Sequence, residues 1–417
     1  MKVTHFSAAH GGTGAANAAT RIHRECLRLG MRSRMWVTQP GSDEPEVRLL
    51  RRRGGLAGRL CERLERLLET RLLAAVQARS DYVLSTGRFG HDAARVARAD
   101  APDLVHLHWI AGGSFQLSRI AGISVPIVWR LPDMWPFCGV EHLMEDSRRF
   151  IEGYSPANRP ADLTGPDISA WAWENKRRTY AHLRNLTIVT PSRWLADCVR
   201  RSALLRDRNV VVIKTGCDTN TFRPREQAAC RHVLDLPPDR RVILAGATCM
   251  KTHWKGGDLL VQAIHQLTAS GTAPFELVLF GQGGEAIQQQ VKCPARCLGK
   301  VKSEQLMAAL YAAADVFVAP SRMENMANTV LEAMACGTPC VAFDIGGMPD
   351  MIEPGVNGEL AKAFDTGELA HGIRAILNQP EPARRAAARR KIELEFSVAE
   401  QGRQYHALYQ SLLPASA

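Results

Sequence analysis

The sequence contains no apolar run approaching 18 residues, so no membrane-spanning helix is expected. Met1 to Phe6 carries Lys2 but no apolar segment long enough for a signal peptide. The 11 cysteines show no paired metal-ligand spacing, and Cys293 and Cys297, four apart around Pro294, make too weak a pattern for zinc. A reduced, cytoplasmic chain with mostly buried thiols is the expectation. There is also no recognised nucleic-acid-binding module to go with the formal charge of +11, so nucleic acid is not an expected partner. The charge suits another anion, either nucleotide phosphates or anionic lipid. A length of 417 residues with 46% hydrophobic content leaves room for two domains with ample cores.

The most organised stretch runs from Ala319 to Ile352. Asp315 to Ala319 reads as a buried strand ending at Pro320, and Asn328 to Cys336 as a helix stopped by Gly337 and Pro339. Cys340 to Phe343 reads as the next strand, and Gly346-Gly347 loosens the loop after it. Strand, helix and parallel strand in so few residues make a compact βαβ unit. Glu324 and Asn325 then fall in the loop at a strand's carboxyl end, where open α/β sheets bind ligands. Glu324 and Glu332 are separated by seven residues, with a helix N-terminus between them. Free N–H groups there can seat a phosphate, while the two carboxylates accept hydrogen bonds from hydroxyls on either side. A sugar nucleotide fits that layout; a loop charge and a solvated helix position fit the pair as well.

The same string resembles the donor-site signature of the retaining family 4 glycosyltransferases, also described as glycosyl transferases group 1. The shared elements are Glu324, the seven-residue gap, Leu331-Glu332-Ala333-Met334-Ala335, Gly337-Thr338-Pro339 and Gly346-Gly347. The resemblance implies an α/β chain of the GT-B fold, two facing Rossmann-like domains with a cleft between them. It further implies transfer of a sugar from a nucleotide donor to a hydroxyl of a glycan or lipid-linked acceptor, with retention, in polysaccharide or glycolipid biosynthesis. Glu324 would face the transferred sugar and Glu332 the nucleotide ribose, with Asn325, Met326, Ala327 and Asn328 beside the donor. Met326-Ala327 stands where many members have a Pro-Phe-Gly type turn, and Asp350 replaces a common Glu. Lys255-Gly256-Gly257-Asp258 resembles the family's Lys-Gly-x-Asp run, whose lysine grips the diphosphate. Many relatives place an arginine five residues earlier; Met250 holds that position here, with Lys251 one residue on. Val301 should lie near the nucleotide base. No metal or other cofactor is expected, because the fold leaves the diphosphate to cations and helix ends and no clear Asp-x-Asp motif appears at the donor site.

Earlier in the chain, Lys2 to Phe6 reads as a strand running into Gly11-Gly12-Thr13-Gly14, and Gly12 and Gly14 would let backbone approach the diphosphate. His108 and Trp109, at the end of the Leu104–Ile110 strand, are expected on the acceptor side, together with Trp135. Many relatives carry a His-Asp pair where this chain has Pro132-Asp133, and His142 follows nine residues after Asp133. Asp133 and His142 join Glu324 as expected catalytic residues. Trp171 and Trp173 read as packing within a helix that ends in Lys176-Arg177-Arg178. The expected domains are 1–221, 222–395 and a terminal helix, 396–417, that returns to the first.

Arg48 to Arg79 is the most basic segment. Leu60, Leu64, Leu67, Leu68, Leu72 and Val76 recur in it at helical spacing. One reading is a core-facing helix with a solvated basic face. The other is a helix on an anionic membrane surface, led by Arg51, Arg52 and Arg53, which would make the protein peripheral on the inner face of the cytoplasmic membrane. A sugar-nucleotide epimerase and a non-catalytic sugar-nucleotide-binding protein are the alternative functions.

Overall fold

The computed structural model describes residues 1–41, 43–51, 55–77, 83–144, 147–270, 273–379 and 381–414. Arg52 and Arg53 lie outside the described residues. The chain divides into two units, Met1–Lys214 with Gln401–Ala417, and Thr215–Glu400.

Among the described residues the first unit holds seven parallel strands: β1 (Lys2–Ser7), β2 (Arg32–Val37), β3 (Val47–Leu49), β4 (Leu104–Leu107), β5 (Ile127–Arg130), β6 (Leu186–Thr190) and β7 (Asn209–Val212). Their spatial order is β3-β2-β1-β4-β5-β6-β7. The second holds β8 (Arg241–Cys249), β9 (Phe275–Gln282), β10 (Ala295–Cys297), β11 (Val316–Ala319), β12 (Cys340–Phe343) and β13 (Gly358–Ala361), in the order β10-β9-β8-β11-β12-β13. The central strands are buried at every position, as a sheet covered by helices on both faces requires. In each sheet the winding reverses once, between β1 and β4 and between β8 and β11. Loops leaving those strand pairs run in opposite directions, so each switch point opens a crevice at the strands' carboxyl ends.

Residues 215–221 were expected in the first domain but belong to the second unit. Backbone bonds Cys217 N to Phe396 O (2.6 Å) and Val398 N to Cys217 O (3.1 Å) hold this segment there, and the Arg389 guanidinium donates to Thr219 O and Phe222 O. The second crossing falls at Gln401, inside the helix Val398–Leu412. Beyond it, Tyr405 and Tyr409 are buried against Val3, Leu104 and Val128 of the first unit.

The helix Gly55–Gln77 faces unexpectedly. Leu60, Leu64, Leu67 and Leu68 are between 47% and 60% exposed, beside the exposed Arg63, Arg66 and Arg71. The half-buried Glu62, Glu65 and Glu69 take the inner side, and Glu69 accepts from Thr86 N (2.8 Å) and Oγ1 (2.6 Å). The far end docks through apolar contact, with Leu73 buried among Leu84, Val140 and Ala172.

Candidate active site

The β8/β11 switch point assembles most of the expected donor residues. After β8 the chain makes a short turn, His253–Lys255, and enters the helix Gly257–Ala269 through Gly256 at φ 64. That left-handed backbone favours glycine, and a Cβ there would collide with the Pro320 carbonyl at the end of β11. The two loops are therefore in backbone contact. Arg322 ties them further: its N–H donates to Trp254 O (2.8 Å), and its guanidinium grips Asp258 with both nitrogens (2.7 and 2.5 Å) and donates to His253 O. Those bonds hold the Asp258 carboxyl below its ordinary range. The result is that Lys255 Nζ lies 2.6 Å from Glu324 Oε2, with both side chains partly exposed.

Glu324 is fixed from behind as well. Gly346, at φ 51, abuts the Glu324 carbonyl so closely that a Cβ would collide with it, and Gly347 N donates to the same oxygen at 3.1 Å. The helix Asn328–Ala335 follows, with Ala327 at its N-cap and no side-chain cap, so its first N–H groups are left for another acceptor. Asn325 and Ala327 are buried, Met326 packs against the core, and Asn328 Oδ1 is enclosed with no hydrogen-bond partner among the described residues. Glu332 is half-buried and accepts from the Tyr311 hydroxyl at 3.2 Å. Burial, and then the Glu332 charge, push the Tyr311 phenol well up, so it remains a donor.

Met250, at the usual arginine position, is buried in the core beside the sheet. Lys251 is exposed and lies across Gly283, where a Cβ would strike its Cγ. Val301 is half-buried against the other core of the same unit.

In the first unit, Gly12 is exposed in the turn after β1 at φ 82, and Gly14 opens the helix Gly14–Arg28, capped by Thr13. The loop after β5 brings Asp133 and His142 together, Oδ2 to Nδ1 at 2.8 Å. Asp133 also accepts from Trp109 Nε1 (3.1 Å) and Trp135 N (3.0 Å). His142 is buried, and its Nε2 meets Ser85 Oγ at 3.0 Å, so both ring nitrogens are engaged within the protein. That geometry makes His142 a support for Asp133.

Two expected acceptor-side residues are placed otherwise. Trp135 is buried, donates to Ser85 O (2.7 Å) and stacks on His142. His108 is turned into the sheet's core face, where its Nε2 meets His5 Nδ1 at 3.0 Å. The β1–β4 register sets His5 beside His106, and His108, two residues on, shares its face. Among the described residues this trio offers ligand atoms within 4.8 Å of one another. The His5 and His108 rings are nearly parallel (14°) with nitrogens at hydrogen-bond distance, and the Arg130 charge beside His106 and His108 opposes a cation. They form a hydrogen-bonded core cluster instead.

The sequence reading missed Arg322, Tyr311, Ser85 and the role of Lys176. Tyr311 and Ser85 sit 21 and 57 residues from the partners they meet, Glu332 and His142, and no local pattern joins them.

Residues 239–379 match the family described as glycosyl transferases group 1. The chain carries a glycosyl transferases group 1 domain. The whole chain has the GT-B fold: it is similar to sucrose-phosphate synthase from Thermosynechococcus elongatus at TM-score 0.69 and 19% identity, covering 99% of this chain and 98% of that one. Anabaena Alr3699/HepE, solved in complex with UDP-glucose, is similar at TM-score 0.67 and 18% identity, covering 99% and 100%. A D-inositol 3-phosphate glycosyltransferase of Mycobacterium sp. (strain JLS) is 32% identical over 189 residues, 42% of this chain and 41% of that relative's length. The alpha-maltose-1-phosphate synthase of Mycolicibacterium smegmatis is 27% identical over 335 residues, 76% of this chain and 81% of that protein. The group 1 domain encloses the Lys255–Glu324 pair and Glu332, all within the matched residues.

Proposed function

We propose that the chain transfers a sugar from a nucleotide-sugar donor to a hydroxyl of a glycan or lipid-linked acceptor, with retention at the anomeric carbon. The observation that carries this reading is the Lys255–Glu324 pair at the β8/β11 switch point, followed by an uncapped helix start and Glu332. The cation and the helix N–H groups suit a diphosphate, and the two carboxylates suit the hydroxyls on either side of it. As diphosphate draws Lys255 toward itself, the Glu324 carboxylate becomes available to the transferred sugar. Lys255, Lys251 and the helix end then stabilise the departing diphosphate electrostatically, without a metal. Glu324 orients the sugar, and the acceptor hydroxyl attacks on the face that the diphosphate leaves, with no covalent intermediate. Asp133, held by three donors, orients a sugar or acceptor hydroxyl. The solved complex of Alr3699/HepE with UDP-glucose supports a nucleotide-sugar donor.

A thermal-shift panel of nucleotide sugars tests the donor, because a ligand that binds only the folded state raises the melting temperature. Product analysis with and without an acceptor separates transfer from epimerisation. A panel in which no nucleotide sugar raises the melting temperature refutes the reading.

We also propose that the helix Gly55–Gln77 rests on an anionic membrane surface. Four exposed leucines flanked by Arg63, Arg66 and Arg71, with the acidic residues turned inward, support this over a core-facing helix. Each arginine near such a surface contributes about 1 kcal/mol.

A further inference from the structure

Lys176, in the helix Ile168–Ala181, is fully buried. Its Nζ donates to three backbone carbonyls of one loop: Trp135 O, Cys138 O (3.0 Å) and Gly139 O (2.6 Å). An ammonium has three donors, so its hydrogen-bonding capacity is filled. It also sits 4.2 Å from the centroid of the Trp135 ring, which in turn stacks on His142. The same helix supplies Tyr180, whose hydroxyl donates to Pro136 O at 2.7 Å. The loop it grips begins at Asp133, whose Oδ1 accepts from Trp135 N, and it ends at His142. A buried charge is a costly way to fill a core, because its desolvation must be offset by good partners, and methionine would fill the same length without that cost. What methionine cannot do is collect three carbonyls that point to one spot.

We propose that Lys176 is the positioning residue for Asp133: by binding the carbonyls of residues 135, 138 and 139 it sets the loop conformation that aims the Asp133 carboxylate. This rests on the reading of Asp133 as a group that orients a reacting hydroxyl. Protonation controls the device. Burial pulls the Lys176 ammonium's pKa down to about 7, against the raising influence of Cys138, Glu141 and Asp133 on the facing loop. An amine retains only two donors, so the three-carbonyl grip weakens as pH rises through that value.

The Trp109 indole N–H donates to Asp133 and does not touch Lys176 in the hydrogen bonds described, which makes it the reporter. Its ¹H–¹⁵N signal, assigned by its loss in Trp109→Phe, should move in Lys176→Met, and solvent exchange at that N–H should quicken. In the wild type the same signal should shift between pH 6 and 8.5 with a midpoint near 7; in Lys176→Met, which retains His142, that transition should vanish. Lys176→Gln, which keeps two donors, serves if the methionine variant does not fold. A Trp109 signal unchanged in whichever variant folds overturns the proposal, and so does a wild-type signal flat across that pH range. Turnover of the nucleotide sugar giving the largest melting shift should fall about 10²-fold, the scale of a small misplacement in a site, with KM within three-fold. A displaced Trp109 signal with unchanged turnover would uphold the positioning role and refute Asp133's part in the reaction instead.

Discussion

Replacing Lys255 by alanine removes the ammonium 2.6 Å from Glu324 and, on the proposed reading, a charged contact to phosphate. Such a contact contributes about 1.5–3 kcal/mol, so kcat/KM should fall roughly ten- to a hundred-fold. Unchanged kinetics would remove Lys255 from the donor site. The two glutamates should separate by parameter. Glu332→Gln, which keeps shape and the approach of Tyr311 but weakens a ribose contact, should act mainly on donor affinity. Glu324→Gln should act mainly on turnover, because the sugar carries the developing charge; equal effects on both parameters in both variants would contradict the division of roles. Glu324 and Glu332 stood out as candidates because a single short string holds them, with a strand end and a helix start fixing where each must lie, while Lys255 came from a separate run 69 positions earlier. Asp133 and His142 were legible as types in one loop, but their mutual contact and the burial of His142 were not, since Ser85 and Trp109 come from elsewhere in the chain.

The loops and helices around these residues carry their own consequences. Gly346→Ala would place a Cβ against the Glu324 carbonyl at a left-handed φ. A cost of about 1–3 kcal/mol in stability is expected from the strained backbone alone, measurable by denaturant unfolding. Turnover should fall with it, as the Glu324 loop is displaced; wild-type stability in this variant would show that the loop yields freely. The helix Gly55–Gln77 makes a second case. Binding to anionic vesicles should weaken as salt rises and disappear when Leu64, Leu67 and Leu68 become serine, with the melting temperature preserved because these side chains are exposed. Binding indifferent to both salt and substitution would return the helix to a merely solvated surface. Its leucine spacing announced an amphipathic helix, but periodicity does not say which stripe faces inward. The structure turns the glutamates in, because Glu69 finds two donors on Thr86, and leaves Leu60, Leu64, Leu67 and Leu68 out.

At the scale of the whole molecule, the buried histidines set an acid limit. Burial holds His5, His106 and His108 well below the ordinary histidine value, and lowers His23 to about 4. The folded state keeps these rings neutral while the unfolded chain protonates them near pH 6.5. Their contribution is therefore fully present above about pH 6.5 and is lost progressively as pH falls from there toward the folded-state values. The melting temperature should drop between pH 7.5 and 5.5, and His106→Asn should flatten that slope; a melting temperature constant over the range would exclude the effect.

Period and punctuation in the sequence determined the alternation of strands and helices and the α/β class, because each depends on residues only a few positions apart; the donor-site reading rested on the resemblance of one short string to a family signature. The sequence also located the hand-over between units to within several residues, placing 215–221 with the first where the Cys217–Phe396 bond places them with the second. Tertiary structure alone decided which side chains meet across distance: Arg322 with Asp258, Ser85 with His142, Lys176 with three carbonyls, and His108 with His5. Those contacts arise from strand order and register, which bring together residues separated by up to about a hundred positions, and no local pattern in a single chain encodes that pairing.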